Sequence, residues 1–299
     1  MDRLGAMKIV LAAVDAGSLS AAGRQLGVPL ATISRKLSEL EAHLGTQILV
    51  RSSRRLTLTE TGRAYVDACR RILEDVAEAE RAAAGEYAAP RGELSIAAPI
   101  VLGRLHVLPV ISAFIDRYAD IKVRLMQSDR LVDFAEERID AAIRIGALPD
   151  SSMIAAKIGE TRQVICASPA YFRLHGQPAS PAELSHHDCI SFDRLNDADH
   201  WFFGKGKTRM SVPVRSRLVV NTAEAAIDAA IAGAGVTRVL SYQVARYLKD
   251  GTLVRCLAAF EPDPLPVNIL YPGNLRLPVK LRAFLDFAAP RLKERLNLP

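Results

Sequence analysis

The stretch with the clearest chemical potential lies near the N-terminus, where small, hydroxylated and basic side chains follow one another. Positions 29–36 read PLATISRK, a helix in which Ile33 is a buried position. Small residues let a helix approach the DNA major groove closely, Ser and Thr bond bases or phosphates, and Arg reaches guanine with two parallel hydrogen bonds. The side of this helix predicted to face DNA consists of Ala31, Thr32, Ser34, Arg35 and Lys36.

A second basic cluster follows about twenty residues later, in the segment RSSRR at positions 51–55. Arg51, Arg54 and Arg55 suit contacts with phosphates or with the minor groove. Each of these arginines taken singly is an ordinary solvated charge. Both clusters together, on neighbouring elements of one small domain, predict double-stranded DNA as a partner.

Several patterns typical of enzymes are present only in part. The run HHDC at 186–189 is short and has no second cluster nearby, and consecutive residues of a strand point to opposite faces, which disfavours a metal site. The run GKT at 206–208 resembles the end of a phosphate loop, but that motif requires glycine at position 201, which is Trp201. A dinucleotide-binding motif that begins at Gly233 requires glycine at position 238, which is Arg238. The sequence therefore predicts no enzyme, no cofactor and no metal site.

The N-terminal clusters need helices and a hairpin to position them. Apolar residues recur at helical spacing before Gly17, and Ser18 or Ser20 can cap a second helix. Pro29 suits the first turn of a third helix and Gly45 ends it. Apolar segments at 48–50 and 56–58 flank the second basic cluster and predict a small hairpin, or wing. The sequence thus predicts a winged helix-turn-helix.

A long fourth helix is predicted over residues 60–86, which contain no proline. Its apolar residues recur with a period of 3.5, which favours pairing with a second helix. The alternative is that this stripe packs on its own domain. The residues predicted to form a dimer seam are Tyr65, Cys69, Ile72, Val76, Ala79 and Ala83. The segment AAPRG at 88–92 is predicted to be a hinge.

The remaining sequence alternates β-rich and helical segments, which predicts an α/β fold. The predicted strands are 94–97, 123–126, 141–145, 164–167, 212–214, 218–220 and 267–271. The predicted helices are 104–118, 131–137, 223–232, 243–248 and 279–288. This part is long for a single sheet, so two lobes are expected, with a ligand in the crevice at the carboxyl ends of the strands.

Composition agrees with this organisation and excludes other classes. The chain has 299 residues and a net charge of +6, divided as +4 over residues 1–63, −3 over 64–90 and +5 over 91–299. No apolar run approaches the ~20 residues of a membrane span, and the hydrophobic segment at 9–14 is too short for a signal peptide. We expect a cytoplasmic protein with four reduced cysteines and no membrane partner.

The sequence resembles the LysR-type transcriptional regulators over essentially its whole length. The N-terminal pattern runs through DAGSLSAA (15–22), LGV (26–28), ISR (33–35), LEAHLG (40–45) and LTLTETG (56–62). It continues in GELSIAAP (92–99), DRLVD (129–133), AIRIG (142–146) and CASPAYF (166–172). Two departures stand out: Pro29 and Leu30 replace the Ser and Gln of many members, and Gly23 replaces a commoner alanine inside helix two.

The resemblance implies a multidomain α/β protein with a DNA-binding domain at 1–62, a dimerisation helix and hinge at 63–90, and an effector-binding domain at 91–299. The resemblance also implies that this last domain has two lobes like those of periplasmic binding proteins. The first lobe comprises about 91–163 and 267–299, and the second about 164–266. The chain is expected to cross between the lobes near 163–167 and 264–267. By resemblance Leu30, Ala31, Ser34 and Arg35 read bases. The implied effector lining is Ala98, Pro99, Ile100, Asp129, Arg144, Gly146, Phe192, Asn221 and Thr222.

Each residue of that lining has an alternative role in lobe packing, and Arg144 has one as the partner of a nearby carboxylate. The implied partners are operator DNA, an unidentified small molecule and RNA polymerase, and the chain is expected to assemble with itself as a dimer or a tetramer.

Two other functions are alternatives to a transcriptional regulator. The first is a ligand-binding protein whose N-terminal domain contacts only proteins, and the second is an enzyme that uses the cleft. The basic recognition face disfavours the first, and the missing nucleophile or metal cluster disfavours the second.

Overall fold

A computed structural model describes residues 2–51, 56–83, 89–130, 133–134, 136–148, 153–192, 199–273 and 277–296; the side chains of residues 51, 78 and 81–83 lie outside that description. The chain forms two compact units, Met1–Ala89 and Pro90–Pro299.

The first unit is a helix-turn-helix followed by a hairpin and a long helix. Its elements are α1 (Arg3–Asp15), α2 (Leu19–Leu26), α3 (Leu30–Leu44), β1 (Leu49–Arg51), β2 (Leu56–Leu58) and α4 (Glu60–Ala83). Ser18 caps α2 by accepting a hydrogen bond from the backbone N–H of Ala21 at 3.2 Å. Gly27 and Gly45 end α2 and α3 in the left-handed conformation that glycine adopts without strain. The start and stop residues read from the sequence therefore agree with the structure, except that Pro29 precedes α3 as its N-cap.

Close packing accounts for the unusual Gly23. A Cβ atom at this position would lie 2.8 Å from the carbonyl oxygen of Val28, in the turn that leads to α3. The backbone N–H of Val28 donates to the carbonyl of Gly23 at 2.9 Å, so the two segments are held at that separation. Alanine is the better helix former in isolation, but here only glycine lets the turn lie against α2.

The second unit contains two five-stranded sheets, each covered by helices. The first sheet has the strand order β4-β3-β5-β14-β6. Its strands are β3 (Gly92–Ala98), β4 (Ile121–Gln127), β5 (Ala141–Ile145), β6 (Met153–Thr161) and β14 (Leu265–Pro272). Strands β3, β4 and β5 are parallel, and the later strand β14 runs antiparallel between β5 and β6. We call this sheet and its helices lobe I.

Lobe I has one helical segment after β3 and a C-terminal helix. The helical segment consists of α5 (Ile100–Leu102), a π-helical turn (Gly103–Val107) and α6 (Leu108–Arg117). The C-terminal helix is α10 (Val279–Leu296). Phe114 of α6 packs edge-on against Phe284 of α10, with ring centroids 5.4 Å apart, and both rings are fully buried.

The second sheet has the strand order β11-β8-β12-β7-β13. Its strands are β7 (Gln163–Ala167), β8 (Asp188–Phe192), β11 (Arg215–Val220), β12 (Val236–Leu240) and β13 (Val254–Cys256). Helices α7 (Pro169–His175), α8 (Ala223–Ile231) and α9 (Ser241–Lys249) and the hairpin β9–β10 (His200–Phe203, Met210–Pro213) cover it. We call this part lobe II. Strand β6 ends at Thr161 in lobe I and β7 begins at Gln163 in lobe II, so the chain passes directly from one sheet to the other there.

One predicted element is wrong in the part of it that the structure describes. A helix is predicted over residues 131–137, of which 131, 132 and 135 lie outside the described residues. The others lie in a stretch of turns, in which the backbone N–H of Glu136 donates to the carboxylate of Asp133 at 3.0 Å. Asp favours such local side-chain bonds over a helix interior. Strand β12 is absent from the predicted strands, because all five of its residues are buried and a continuously buried strand gives no alternating pattern.

Among the described residues, no helix has both the length and the apolar composition that crossing a membrane requires. All four cysteines are buried free thiols.

Candidate functional site

The first two turns of α3 present the predicted DNA-reading residues at the surface. Ile33 and Leu37 are buried in the first unit, whereas Leu30, at the first turn of the helix, is 51% exposed. Ala31 is exposed, whereas Thr32, Ser34 and Lys36 are half-buried. The side-chain periodicity of the helix therefore separates an apolar anchoring side from a mixed polar side.

Arg35 is the most prominent charged group on this surface. Its side chain is 69% exposed and lies 3.5 Å from the carboxylate of Glu39, one turn further along α3. An exposed pair of this kind contributes only ~0.3–0.5 kcal/mol, so a better partner readily displaces it. The guanidinium therefore remains available for a base or a phosphate.

Hydrogen bonds join α3 to the base of the hairpin. The carboxylate of Glu41 accepts the backbone N–H groups of Ile48 at 2.8 Å and Leu49 at 3.1 Å. Thr59 donates its hydroxyl to the carbonyl of Gln47 at 2.8 Å and caps α4 by accepting from the backbone N–H of Gly62 at 2.8 Å. Helix α3, the hairpin and α4 consequently share one hydrogen-bonded junction.

The structure describes the hairpin in part. Arg51 is the last residue of β1 and pairs with Leu56 across the hairpin, while its side chain, together with Arg54 and Arg55, lies outside the described residues. The contacts assigned to these three arginines stay sequence predictions.

Helix α4 divides into an anchored part and an open part. Cys69 is 0% exposed, and Val66, which is 1% exposed, packs in the core of the first unit. The expectation that Cys69 forms part of a dimer seam is wrong for this reason: its own domain already covers the thiol. Tyr65 is half-buried against the same core, and burial raises its pKa to about 12. Ile72 is 41% exposed, Val76 half-buried and Ala79 exposed, whereas the side chain of Ala83 lies outside the described residues.

The predicted effector residues of lobe I lie at the carboxyl ends of three parallel strands. Ala98 ends β3, Asp129 follows β4 by two residues, and Gly146 follows β5 directly. The backbone N–H of Ile100, at the start of α5, donates to the carboxylate of Asp129 at 3.1 Å. Asp129 therefore already occupies this helix terminus, where an anionic ligand would otherwise find a donor.

The predicted residues of lobe II lie at the equivalent ends of its parallel strands. Phe192 is the last residue of β8, and Asn221 with Thr222 links β11 to α8. Thr222 caps α8 by accepting from the backbone N–H of Ala225 at 3.3 Å. Since ligands of α/β proteins bind at these strand ends, the topology places all nine predicted residues, including Pro99 and Arg144, along the edges where a ligand is expected.

Arg144 is held in place by the backbone. Its Nη1 atom donates to the carbonyl of Arg130 at 2.9 Å, and the side chain is half-buried. Burial lowers its pKa, and the carboxylate of Glu137 opposes that shift. The alternative role of Arg144, as the partner of a nearby carboxylate, is compatible with these contacts.

Two contacts between the lobes lie outside the predicted set of residues. The ring of Tyr242, at the start of α9, lies edge-on to His106 of the π-helical turn at 5.7 Å. Burial and the carboxylate of Asp129 raise the pKa of Tyr242. Arg104 also lies 3.7 Å from Glu224 of α8. No signal in the sequence indicated Tyr242, because it follows the end of β12, a strand that is absent from the predicted strands.

In the run from His186 to Cys189, His187 and Cys189 are buried within lobe II. The hydroxyl of Tyr171 lies 3.3 Å from Nδ1 of the buried His187 and accepts the backbone N–H of Asp188 at 3.0 Å. Cys189 is buried, and burial raises its pKa to about 12. Within the described ranges, no three His, Cys, Asp or Glu side chains are grouped so as to hold a metal ion.

The chain matches two protein families over separate parts of its length. Residues 4–63 match the family described as "Bacterial regulatory helix-turn-helix protein, lysR family". Residues 88–293 match the family described as "LysR substrate binding domain".

Relatives and solved structures extend this match to the whole chain. An HTH-type transcriptional repressor of Pseudomonas aeruginosa is 36% identical over 289 residues, covering 96% of this chain and 91% of that protein. The transcriptional activator AaeR of Escherichia coli is 30% identical over 96% of this chain and 93% of its own. The structure of CrgA, a LysR-type regulator of Neisseria meningitidis, is 28% identical, with a TM-score of 0.62 over 98% of this chain and 99% of that one. The Vibrio cholerae virulence activator AphB is 30% identical, with a TM-score of 0.60 over 95% and 98%.

Proposed function

Because the chain belongs to the LysR family of bacterial transcriptional regulators, we propose that it reads an operator with the first turns of α3 and responds to a small molecule held between the two lobes. The family fixes the general activity: the chain is a transcriptional regulator with a DNA-binding helix-turn-helix and an effector-binding domain, and its relatives are regulators rather than enzymes. The residues that perform each task, the assembly and the polymerase contact are the proposal.

The observation that carries the DNA-reading role is the exposed surface at the start of α3. Arg35, weakly paired with Glu39, projects from a helix whose opposite side is anchored by Ile33 and Leu37. A helix inserted by its N-terminal turns into the major groove directs these side chains at base edges. Leu30 and Ala31 are small or apolar, so they can contact the methyl group of thymine or simply permit close approach.

The remaining residues of this surface contact the phosphate backbone in our proposal. Thr32 and Lys36 flank the reading positions, which include Ser34, and Arg51, Arg54 and Arg55 are predicted on the hairpin that Glu41 joins to α3. Phosphate contacts fix the position of the protein on the duplex and contribute salt-dependent affinity without sequence preference.

The exposed part of α4 supports assembly into at least a dimer. Ile72 is a large apolar residue that its own unit leaves 41% exposed, and Val76 and Ala79 continue the same heptad register. Pairing of α4 helices would cover this stripe. A dimer presents two α3 helices to half-sites ~34 Å apart or at a multiple of that distance, and a tetramer would double the number of half-sites.

The effector response is assigned to the edge where Ala98, Asp129, Arg144, Phe192 and Thr222 lie. Contacts across the lobes near this edge, Arg104 with Glu224 and His106 with Tyr242, are candidates for bonds that change when a ligand binds. A ligand with different affinity for two lobe arrangements shifts the population between them. Altered DNA bending or contact with RNA polymerase then changes transcription, in the cytoplasm and at the nucleoid.

Binding of the full chain to DNA from its own upstream region tests the proposal. Arg35→Ala should weaken the preferred site by ~5- to 150-fold, the equivalent of ~1–3 kcal/mol for a bidentate base contact, with little change for random DNA. Arg54→Ala should weaken both DNAs equally and lower the salt slope by about one phosphate's worth. Arg209→Ala, an exposed arginine of lobe II, is the matched control. Equal effects of Arg35→Ala on specific and random DNA would contradict the assignment.

A further inference from the structure

Arg238 is a buried charged residue that the proposed function does not use. It lies on β12, between β7 and β8, and is 2% exposed. Its neighbour Val239 packs with the residues of α8, whereas Val236 packs with Trp201 of the β9–β10 hairpin. Because alternate residues of a strand face opposite sides, Arg238 lies on the hairpin side of the sheet, opposite α8.

One edge of the Arg238 guanidinium has a partner and the other does not. Its Nη1 atom donates to the carbonyl of Phe202 at 2.9 Å, and its guanidinium carbon lies 5.2 Å from the centre of the Trp201 ring. The Nε and Nη2 atoms are both buried, and neither has a hydrogen-bond partner in the part of the chain that the structure describes. Nearly all buried donors in proteins are paired with a protein group, a water or an ion.

Another arginine of lobe II shows what these two atoms ordinarily bind. Arg255 donates from Nε to one carboxylate oxygen of Glu261 at 2.7 Å and from Nη2 to the other at 2.5 Å. Nε and Nη2 lie on the same edge of the planar guanidinium, so their N–H bonds form a fork that matches a carboxylate. Arg238 presents the same fork with greater burial, since the Arg255 side chain is 41% exposed.

We propose that Arg238 forms a buried site in lobe II for a small carboxylate, whose two oxygens accept the N–H groups of Nε and Nη2. A buried charge without a counterion is costly, and a bound anion supplies both the charge and the two missing acceptors. Burial lowers the pKa of Arg238 to about 9, so the guanidinium still carries its charge near neutral pH.

The surroundings of the fork are polar as well as aromatic. The indole Nε1 of Trp201 donates to the hydroxyl of Ser191 at 3.3 Å, and that hydroxyl lies 2.6 Å from the hydroxyl of Ser216. Ser191 is 2% exposed and follows Ile190, the residue that pairs with Thr237 across β8 and β12, so it lies beside Arg238. A carboxylate of one or two carbons fits the chemistry of this setting, because it offers two acceptors to the fork and little further bulk to a buried region.

This inference concerns the face of lobe II covered by the hairpin, whereas the proposed effector residues lie at the strand ends. It therefore stands or falls separately from operator recognition and from the effector response.

Fluorescence of the full-length chain provides a direct test, because Trp201 is the one tryptophan of the sequence. The chain is titrated with sodium formate or sodium acetate against sodium chloride at constant ionic strength, and melting temperature is followed in parallel. We expect a saturable change in Trp201 emission and a rise in melting temperature, with half-saturation at roughly millimolar carboxylate, the range that so small a ligand can reach.

Three variants test whether the fork itself holds the carboxylate. Arg238→Met should abolish both responses and, because it removes a buried charge, should be at least as stable as the parent in chloride. Arg238→Lys keeps the charge but not the fork, so half-saturation should rise by ~10-fold or more. Arg209→Met removes the exposed arginine that lies 4.6 Å over Phe202 of the same hairpin, and should leave the response intact.

The proposal is overturned if chloride alone gives the same response, if phosphate replaces carboxylate as the effective anion, or if Arg209→Met loses as much of the response as Arg238→Met. It is also overturned if the parent chain shows no saturable change up to ~100 mM formate or acetate, which is far above the expected half-saturation.

Discussion

Substituting alanine for Gly62 is predicted to open the junction between the hairpin and α4. A Cβ atom at this position would lie 2.1 Å from the carbonyl oxygen of Ile48 and 2.9 Å from its carbonyl carbon. That carbonyl cannot move aside freely, because it accepts the backbone N–H of Thr59 at 3.0 Å while the N–H of Ile48 is held by Glu41 at 2.8 Å. The added methyl group therefore forces α4 away from β1.

The expected cost is the balance of two opposing effects. Inserting a methyl group into a packed site costs ~1–3 kcal/mol, and a contact this short with backbone places Gly62→Ala at the upper end. Replacing glycine by alanine inside a helix returns ~1 kcal/mol. The net loss is about 2 kcal/mol in the free energy of opening this unit, equivalent to ~30-fold in its opening equilibrium constant.

Hydrogen exchange followed by mass spectrometry on the full chain measures this opening locally. Peptides covering residues 41–66 should exchange ~30-fold faster in Gly62→Ala, while peptides of lobe II stay unchanged. Affinity for operator DNA should fall in parallel, because the hairpin and α3 share the junction at Glu41.

Gly5→Ala is the matched control, a second alanine in a helix of the same unit. Its Cβ atom would meet the Asp2 carboxylate at 2.2 Å, but that group is the free end of a side chain. Losing the Asp2 cap costs ~1 kcal/mol, which the helix preference of alanine offsets. Unchanged or slower exchange in Gly62→Ala would refute the steric reasoning, and so would equal acceleration in both variants.

Three other outcomes follow from the structure. Gly23→Ala should weaken operator binding several-fold in a mobility-shift titration, since its Cβ atom would lie 2.8 Å from the Val28 carbonyl in the turn before α3; unchanged affinity would show that the turn can yield. The cysteines should resist alkylation at pH 8 until denaturant is added, because all four are buried and burial raises the pKa of Cys166, Cys189 and Cys256 to about 12; stoichiometric labelling of the folded chain would contradict this. Burial and Arg295 lower the folded-state pKa of His106 below 6.5, so the unfolded chain binds more protons and stability should fall as pH drops below about 6.5. In thermal melts, His106→Gln should lose less stability over this pH range than the parent chain does. Part of the loss should persist in the variant, because the pKa of His187 is lowered too.

Local signals in the first unit could be read from the sequence because they act over a few residues. Ser18, Gly27 and Gly45 have the cap roles that their residue types favour, and the apolar spacing of α3 identifies its buried side. The strand ends of the second unit were predictable in outline because alternating β and α segments constrain where parallel strands end. The helix predicted over 131–137 failed where Asp133 offered the backbone a competing hydrogen bond.

The amino-acid sequence by itself determined the family, the elements of the first unit and the surface of α3 that faces outward, since helix periodicity and caps are local properties of the chain. Tertiary structure alone decided which side chains are already covered. It buried Cys69 within the first unit and left Ile72 open, although both occupy the same heptad stripe. It also placed Arg238 beneath the aromatic hairpin, with two of its donors unpaired among the described residues. Burial and hydrogen-bond satisfaction depend on residues distant in sequence, so neither could be read from local spacing.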